Sequence, residues 1–245
     1  LALANPPAEV QNAAAKRLLD EPENALREEA LLRWCGTLEV RDGDAALRAA
    51  RVLARDGASA LDATPRALAR VVRALGEAPA SVGGDLAEVV RAMAAAREGS
   101  EGYRLLLDAG AVPALLRQLP HEAACVKAAS AIAQLAQNDD GQDALIQSRA
   151  APQLLEAALK LPEDAAAADA ARALARLAVH PDGREQLSKL AERAASDERA
   201  MRLLAIAIGT CQVGARAVAQ PAMRLLEPLL SSSASPASPA LLRLL

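Results

Sequence analysis

Apolar positions run along the chain in short Ala- and Leu-rich stretches. Arg or Glu breaks each one before it reaches the roughly 18 residues that a membrane span needs. Four of the stretches line up with one another: AALRAARVLAR from Ala45, EVVRAMAAAR from Glu88, VKAASAIAQLAQ from Val126 and AADAARALARLAV from Ala167. They consist of strong helix formers, and the β-branched and aromatic residues that strands favour are scarce, so each predicts a helix and no sheet is expected. A Gly follows each stretch, with Leu four residues further on: Gly57 and Leu61, Gly102 and Leu106, Gly141 and Leu145, Gly183 and Leu187. The glycines are 45, 39 and 42 residues apart. Each is expected to end the preceding helix by taking a positive φ. A short helix follows, and then another that opens with Pro in its first turn, at Pro113 and Pro152. Thr64 before Pro65 predicts a capped start of the same kind.

A period near forty marks a repeat architecture. The repeats span 44–230, with a fifth unit from Glu198 to Leu230 that holds MRLLAIAIGT and reopens at Pro221. Residues 1–43 predict two divergent helices or an N-terminal cap, about Pro7 to Leu19 and Pro22 to Leu38, since terminal repeats meet solvent on one face. Residues 231–245 form a Ser/Pro-rich tail, too poor in large apolar residues to pack. The closing LeuLeuArgLeuLeu fits an LxxLL pattern that chance explains in so Leu-rich a chain.

Composition sharpens this picture. The chain is 52% hydrophobic with one Trp, one Tyr and no Phe, so its core is built from Ala, Leu, Val and Ile, which suits closely packed helices. A net charge of −3 argues against a nucleic-acid binder, which needs a dominant basic footprint. Even the Arg-rich stretch from Arg41 to Arg104 holds ten Arg against nine Asp and Glu. Cys35, Cys125 and Cys211 lie far apart with no CxxC, so they read as small buried thiols rather than a zinc site or disulfide framework, favouring a reducing compartment. The chain opens on Leu1, which suggests a processed product or part of something longer and leaves localisation unreadable from that end.

Catalytic chemistry is not expected. His121 and His180 each sit beside a Pro in a predicted loop, without a recurring carboxylate or thiol. No nucleophile elbow, phosphate loop or zinc-protease motif occurs, and no cofactor is implied. Gly83 and Gly84 predict a break before a helix. The triplets at 139–141 and 181–183, AspAspGly and ProAspGly, predict inter-helix turns rather than calcium loops.

Three helices per unit, the period near 42, and GAVPALLRQL followed by VKAASAIAQLAQNDDGQDALIQSRAAPQLL resemble the armadillo repeat. The resemblance is closest from Glu101 to Leu190 and looser over 44–230. It implies an all-α, right-handed armadillo-type α-solenoid whose long third helices line a concave, protein-binding groove. HEAT repeats, which share the period but use two helices, are the structural alternative. In family members such as importin-alpha, an Asn near the end of the third helix clamps a peptide backbone. The matching positions here are Val52, Ala95, Gln134, Arg176 and Ile208, and none is Asn. A Trp four residues earlier is matched by Arg48, Arg91, Ser130 and Arg172, so binding of nuclear localisation signals is not expected.

The resemblance instead implies a groove lined by Arg48, Arg91, Gln134, Arg172 and Arg176. Arginine pairs with carboxylates in a planar, two-pronged way, so an acidic protein segment is the expected partner. The competing reading is that these arginines pair with Glu or Asp one turn away, as Arg172 could with Asp169. The Arg66, Arg70 and Arg73 row reads as a solvated stripe. The function implied is a non-catalytic protein-binding scaffold or structural subunit of a larger assembly. A ciliary or cytoskeletal, intracellular setting is the analogy, and an Hsp70 nucleotide-exchange-type chaperone regulator the alternative. Nucleic acid, membrane insertion and a small-molecule substrate are not expected.

Overall fold

The computed structural model describes residues 64–96, 101–160 and 165–194, with Leu32, Cys35, Ala50, Arg51, Leu53 and Leu61 before them and residues 196–197, 199–201 and 203–204 after. The described elements are all α-helices: α1 (Pro65–Glu77), α2 (Ala80–Ala96), α3 (Glu101–Asp108), α4 (Ala111–Gln118), α5 (Glu122–Leu135), α6 (Asp139–Gln147), α7 (Ala151–Lys160), α8 (Ala165–Leu177) and α9 (Pro181–Ala194). Helices α3 to α5 have 8, 8 and 14 residues, and α6 to α8 have 9, 10 and 13. This short–short–long order repeats twice. It contains the extra short helix that a two-helix HEAT unit lacks.

The aligned helices start earlier than their apolar patterns suggest: α2 at Ala80 rather than Glu88, α5 at Glu122 rather than Val126, and α8 at Ala165 rather than Ala167. Of the stretch at Ala45, residues Ala50, Arg51 and Leu53 are helical. Arg48, Val52, Gly57, Cys211, Ile208 and Pro221 lie outside the described residues, as do the limits of the N-terminal cap, most of the fifth unit and the tail from 231 to 245.

The chain divides into two compact units, Leu1–Ala131 and Ile132–Leu245. In the first, α1 packs against α2, α3 and α4. It buries Ala67, Leu68, Val71, Val72, Ala74 and Leu75, the three- and four-residue spacing of one helix face, while Arg66 and Arg73 stay exposed. Arg70 departs from the solvated stripe: it is half-buried and donates from its guanidinium to the Leu32 carbonyl at 3.1 Å. Thr64 precedes the proline as expected, but its side chain makes no capping bond. Its carbonyl accepts from the amides of Ala67 and Leu68 instead.

The Gly83–Gly84 pair does not break the chain. Both residues are buried within α2. The buried side chain of Gln118, at the end of α4, donates from Nε2 to the carbonyls of Leu75 at 2.7 Å and Ala78 at 3.2 Å, satisfying groups that the end of α1 leaves open. A Cβ at Gly83 would lie 2.2 Å from Gln118 Oε1, and one at Gly84 would lie 3.3 Å from the Ala123 carbonyl of α5. Gly83 thus serves close approach rather than a turn, and a side chain at Gly84 would be tight against α5. Cys35 and Cys125 are buried thiols that form no disulfide, as expected.

In the second unit α7 packs along α8, α9 packs against both, and α6 packs against α8 and α9. Gly141 and Gly183 fall within the first turns of α6 and α9, and neither has positive φ. They therefore do not end the preceding helices. A Cβ at Gly183 would lie 2.0 Å from the Leu177 carbonyl, so bare backbone is what lets α9 start against the end of α8. The AspAspGly and ProAspGly triplets are first turns too. Asp139, Asp140 and Asp182 stand where a helix N-terminus favours negative charge. Gln142 and Gln186 donate to the Ala136 carbonyl at 3.1 Å and the Ile146 carbonyl at 2.8 Å.

Positive φ appears at two described positions, Gly110 with φ 83° and Arg149 with φ 51°. They are 39 residues apart, as are Gly102 and Gly141, so they occupy the same turn of consecutive repeats. Gly adopts this conformation freely, whereas a side chain there costs about 1–2 kcal/mol.

Candidate functional site

In the first unit, α2 carries the expected Arg91. Its Nε donates to Glu88 Oε2 at 2.9 Å and a terminal nitrogen to Oε1 at 2.5 Å, a two-pronged pair three residues apart. The hydrogen bond from Arg91 holds the Glu88 carboxyl below its ordinary value of 4.5. Partial burial works against that shift, and the charges of Arg91 and Lys127 assist it. A group with a depressed folded pKa adds stability above its unfolded value and loses it as pH falls through the folded one. Glu88→Gln is therefore expected to lower stability by a few tenths of a kcal/mol at neutral pH, about the worth of one exposed helical ion pair. Thermal melts across an acid titration should show variant and parent converging below the folded pKa of Glu88.

One turn earlier on α2, Asp85 accepts from Arg51 Nε at 3.2 Å and from Lys127 Nζ of α5. A single carboxylate, 13% exposed, thus joins α2 to α5 and to the helical stretch around Arg51. Sequence reasoning missed it, because its partners lie 34 and 42 residues away and no local spacing marks them.

In the second unit, Arg172 on α8 pairs with Asp169, the local pairing foreseen as the competing reading. Glu88–Arg91 and Asp169–Arg172 stand at matching positions of their third helices, so this intrahelical pair is a repeated feature. Arg176 is exposed one turn beyond Arg172 and has no ionic partner among the described residues. Gln134, in the last turn of α5, is half-buried, and its Oε1 accepts from Gln137 Nε2 at 3.1 Å. His121 and His180 lie in turns as expected. His180 Nε2 is 3.6 Å from Asp143 Oδ1. Among the described residues no group of three or more His, Cys, Asp or Glu could hold a metal ion, and no helix is long and apolar enough to cross a membrane.

No family model matches the chain, and no curated protein matches it in sequence. Solved structures do match. A computationally designed armadillo repeat protein for modular peptide recognition aligns with a TM-score of 0.57 at 22% identity, covering 87% of this chain and 98% of the other. A designed armadillo repeat protein in complex with the peptide (KR)4 gives 0.58 at 22% identity, over 87% and 97%. This chain has an armadillo-type repeat fold. A further engineered protein, 26% identical, matches with a TM-score of 0.59 over 87% of this chain and 96% of its own. In the armadillo scheme α3, α4 and α5 are the first, second and third helices of one repeat, and α6, α7 and α8 those of the next. The armadillo third helices are therefore the ones that carry Arg91, Gln134, Arg172 and Arg176.

Proposed function

We propose that this armadillo chain is a non-catalytic scaffold that binds an acidic protein segment on the exposed faces of its third helices. The observation behind this is α8, where Arg172 and Arg176, the latter unpaired among the described residues, stand one turn apart on the exposed side. Peptide binding by the designed armadillo neighbours supports the choice of a protein partner. The designed neighbour in complex with a peptide holds a basic one, (KR)4. Arginine at the matching positions here favours the opposite charge. Arg176 is free to take a carboxylate, while Arg172 would share one with Asp169, whose pairing costs little to rearrange at the surface. Arg91 and Gln134 are secondary contacts in this reading, and Arg48 belongs to the same set by alignment.

Arg172→Glu with Arg176→Glu is expected to weaken partner binding about tenfold or more, each lost charge-assisted bond being worth roughly that factor. The measurement is an affinity pull-down from the native source, with circular dichroism to show unchanged helicity. Equal recovery of the partner by the variant would remove the α8 face from the interaction. An assembly of ciliary or cytoskeletal kind, within the cell, is the setting we propose by analogy with plain armadillo proteins. Release of nucleotide from an Hsp70 on mixing would instead favour the chaperone-regulator reading.

A further inference from the structure

The second unit carries a cleft that neither Arg172 nor Arg176 lines. It has a volume of about 420 Å³ and lies between the α6–α7 turn, which supplies Arg149, and the side of α9 from Asp182 to Arg193. Its charges are unevenly matched. Lys189 and Glu185 neutralise each other at 2.6 Å, whereas the side chains of Arg149 and Arg193 have no ion-pair or hydrogen-bond partner among the described residues. The remaining carboxylate, Asp182, leaves the lining with a positive excess. Gln186 fixes the floor by donating to the Ile146 carbonyl of α6, and its own Oε1 is buried without a partner.

The turn that holds Arg149 is made one repeat earlier by Gly110, so the fold needs only a residue that tolerates positive φ there. Arginine is a poor solution to that local problem. What it adds, and Gly cannot, is a guanidinium on the cleft. A strained backbone at a ligand-facing residue is a recurrent mark of function.

We infer that this cleft is a second docking site, for an extended acidic peptide segment whose carboxylate is taken by Arg149 and Arg193. Asp182 then faces the same segment and accepts a backbone N–H or a basic side chain from it. Asp182, the carboxylate that the lining leaves unneutralised, repels the closely spaced phosphates of a nucleic acid, which a single carboxylate flanked by amides avoids. The site goes beyond the α8 face and is separable from it.

The test uses the full chain already carrying Arg172→Glu and Arg176→Glu, so that the α8 face contributes nothing. A fluorescent peptide alternating Glu and Ser is titrated in, with a Lys and Ser peptide as control, and anisotropy is read. Binding of the acidic peptide alone is expected, and adding Arg149→Gly or Arg193→Ser should weaken it about tenfold, the scale of one charge-assisted bond. Arg149→Gly should at the same time leave the melting temperature unchanged or raise it, because Gly relieves the positive φ. Loss of binding in a variant at least as stable as its parent is an outcome that general damage cannot produce. No binding of the acidic peptide in this background, equal binding after Arg149→Gly, or tighter binding of a short polyuridylate than of the peptide would each overturn the inference. Failure of the α8 proposal reads out separately, in the pull-down.

Discussion

Leu177→Asp is expected to unfold the second unit. Leu177 is 0% exposed at the end of α8, and Leu174, Ala178 and Leu187 are likewise buried. A carboxylate buried there either carries the desolvation cost or takes up a proton and leaves a polar group unpaired. The penalty is about 4–5 kcal/mol, most of the margin of a domain that is stable by about 5–15. Circular dichroism should show a large loss of helicity at 25 °C or a melt brought near room temperature. Leu135→Asp, equally buried at the end of α5, is the matching substitution one repeat earlier. A parent-like melt would mean that this residue does not face the core.

Gly183→Ala is expected to be destabilising although it improves helix propensity. In an ordinary helical position the change would gain up to about 1 kcal/mol. Here the new methyl would stand 2.0 Å from the Leu177 carbonyl oxygen and 2.8 Å from its carbon, both backbone atoms that no side-chain rotation can move aside. Overpacking of this kind costs about 3 kcal/mol, so the net effect is a loss of about 2 kcal/mol. Urea denaturation of the variant should show a lower midpoint with an unchanged slope. A midpoint at or above that of the parent would show that α9 can back away from α8 at little cost.

The armadillo-type fold was legible because its signal is periodic: aligned Ala- and Leu-rich helices, a Gly–Leu pair every forty or so residues, and prolines in the first turns of α4 and α7. What the sequence obscured was the physical reason for its own marker. Gly141 and Gly183 recur at the period, yet neither ends the helix before it; Gly183 serves the close approach of α9 to α8, and the turn that does need a positive φ falls at Gly110 and Arg149. Distance of approach between two backbones leaves the same letter in the sequence as a turn does. The same ambiguity hid Gly83, whose neighbour Gln118 is 35 positions away in the chain and spatially adjacent. On the third helices, alignment identified the positions of Arg91, Arg172 and Arg176. It could not say which arginine would remain free, since that depends on rotamers. Only the acid at the third position before each of Arg91 and Arg172 pointed to the outcome.

The glutamine bonds that tie helix ends together have a consequence for how such repeats diverge. Gln118, Gln142 and Gln186 all donate to main-chain carbonyls, those of Leu75, Ala78, Ala136 and Ile146. A carbonyl survives any substitution of the residue that bears it. Each junction therefore depends on the identity of one partner only, and the other is free to drift. Two copies of a unit can lose most of their shared letters while the joint between them is inherited intact.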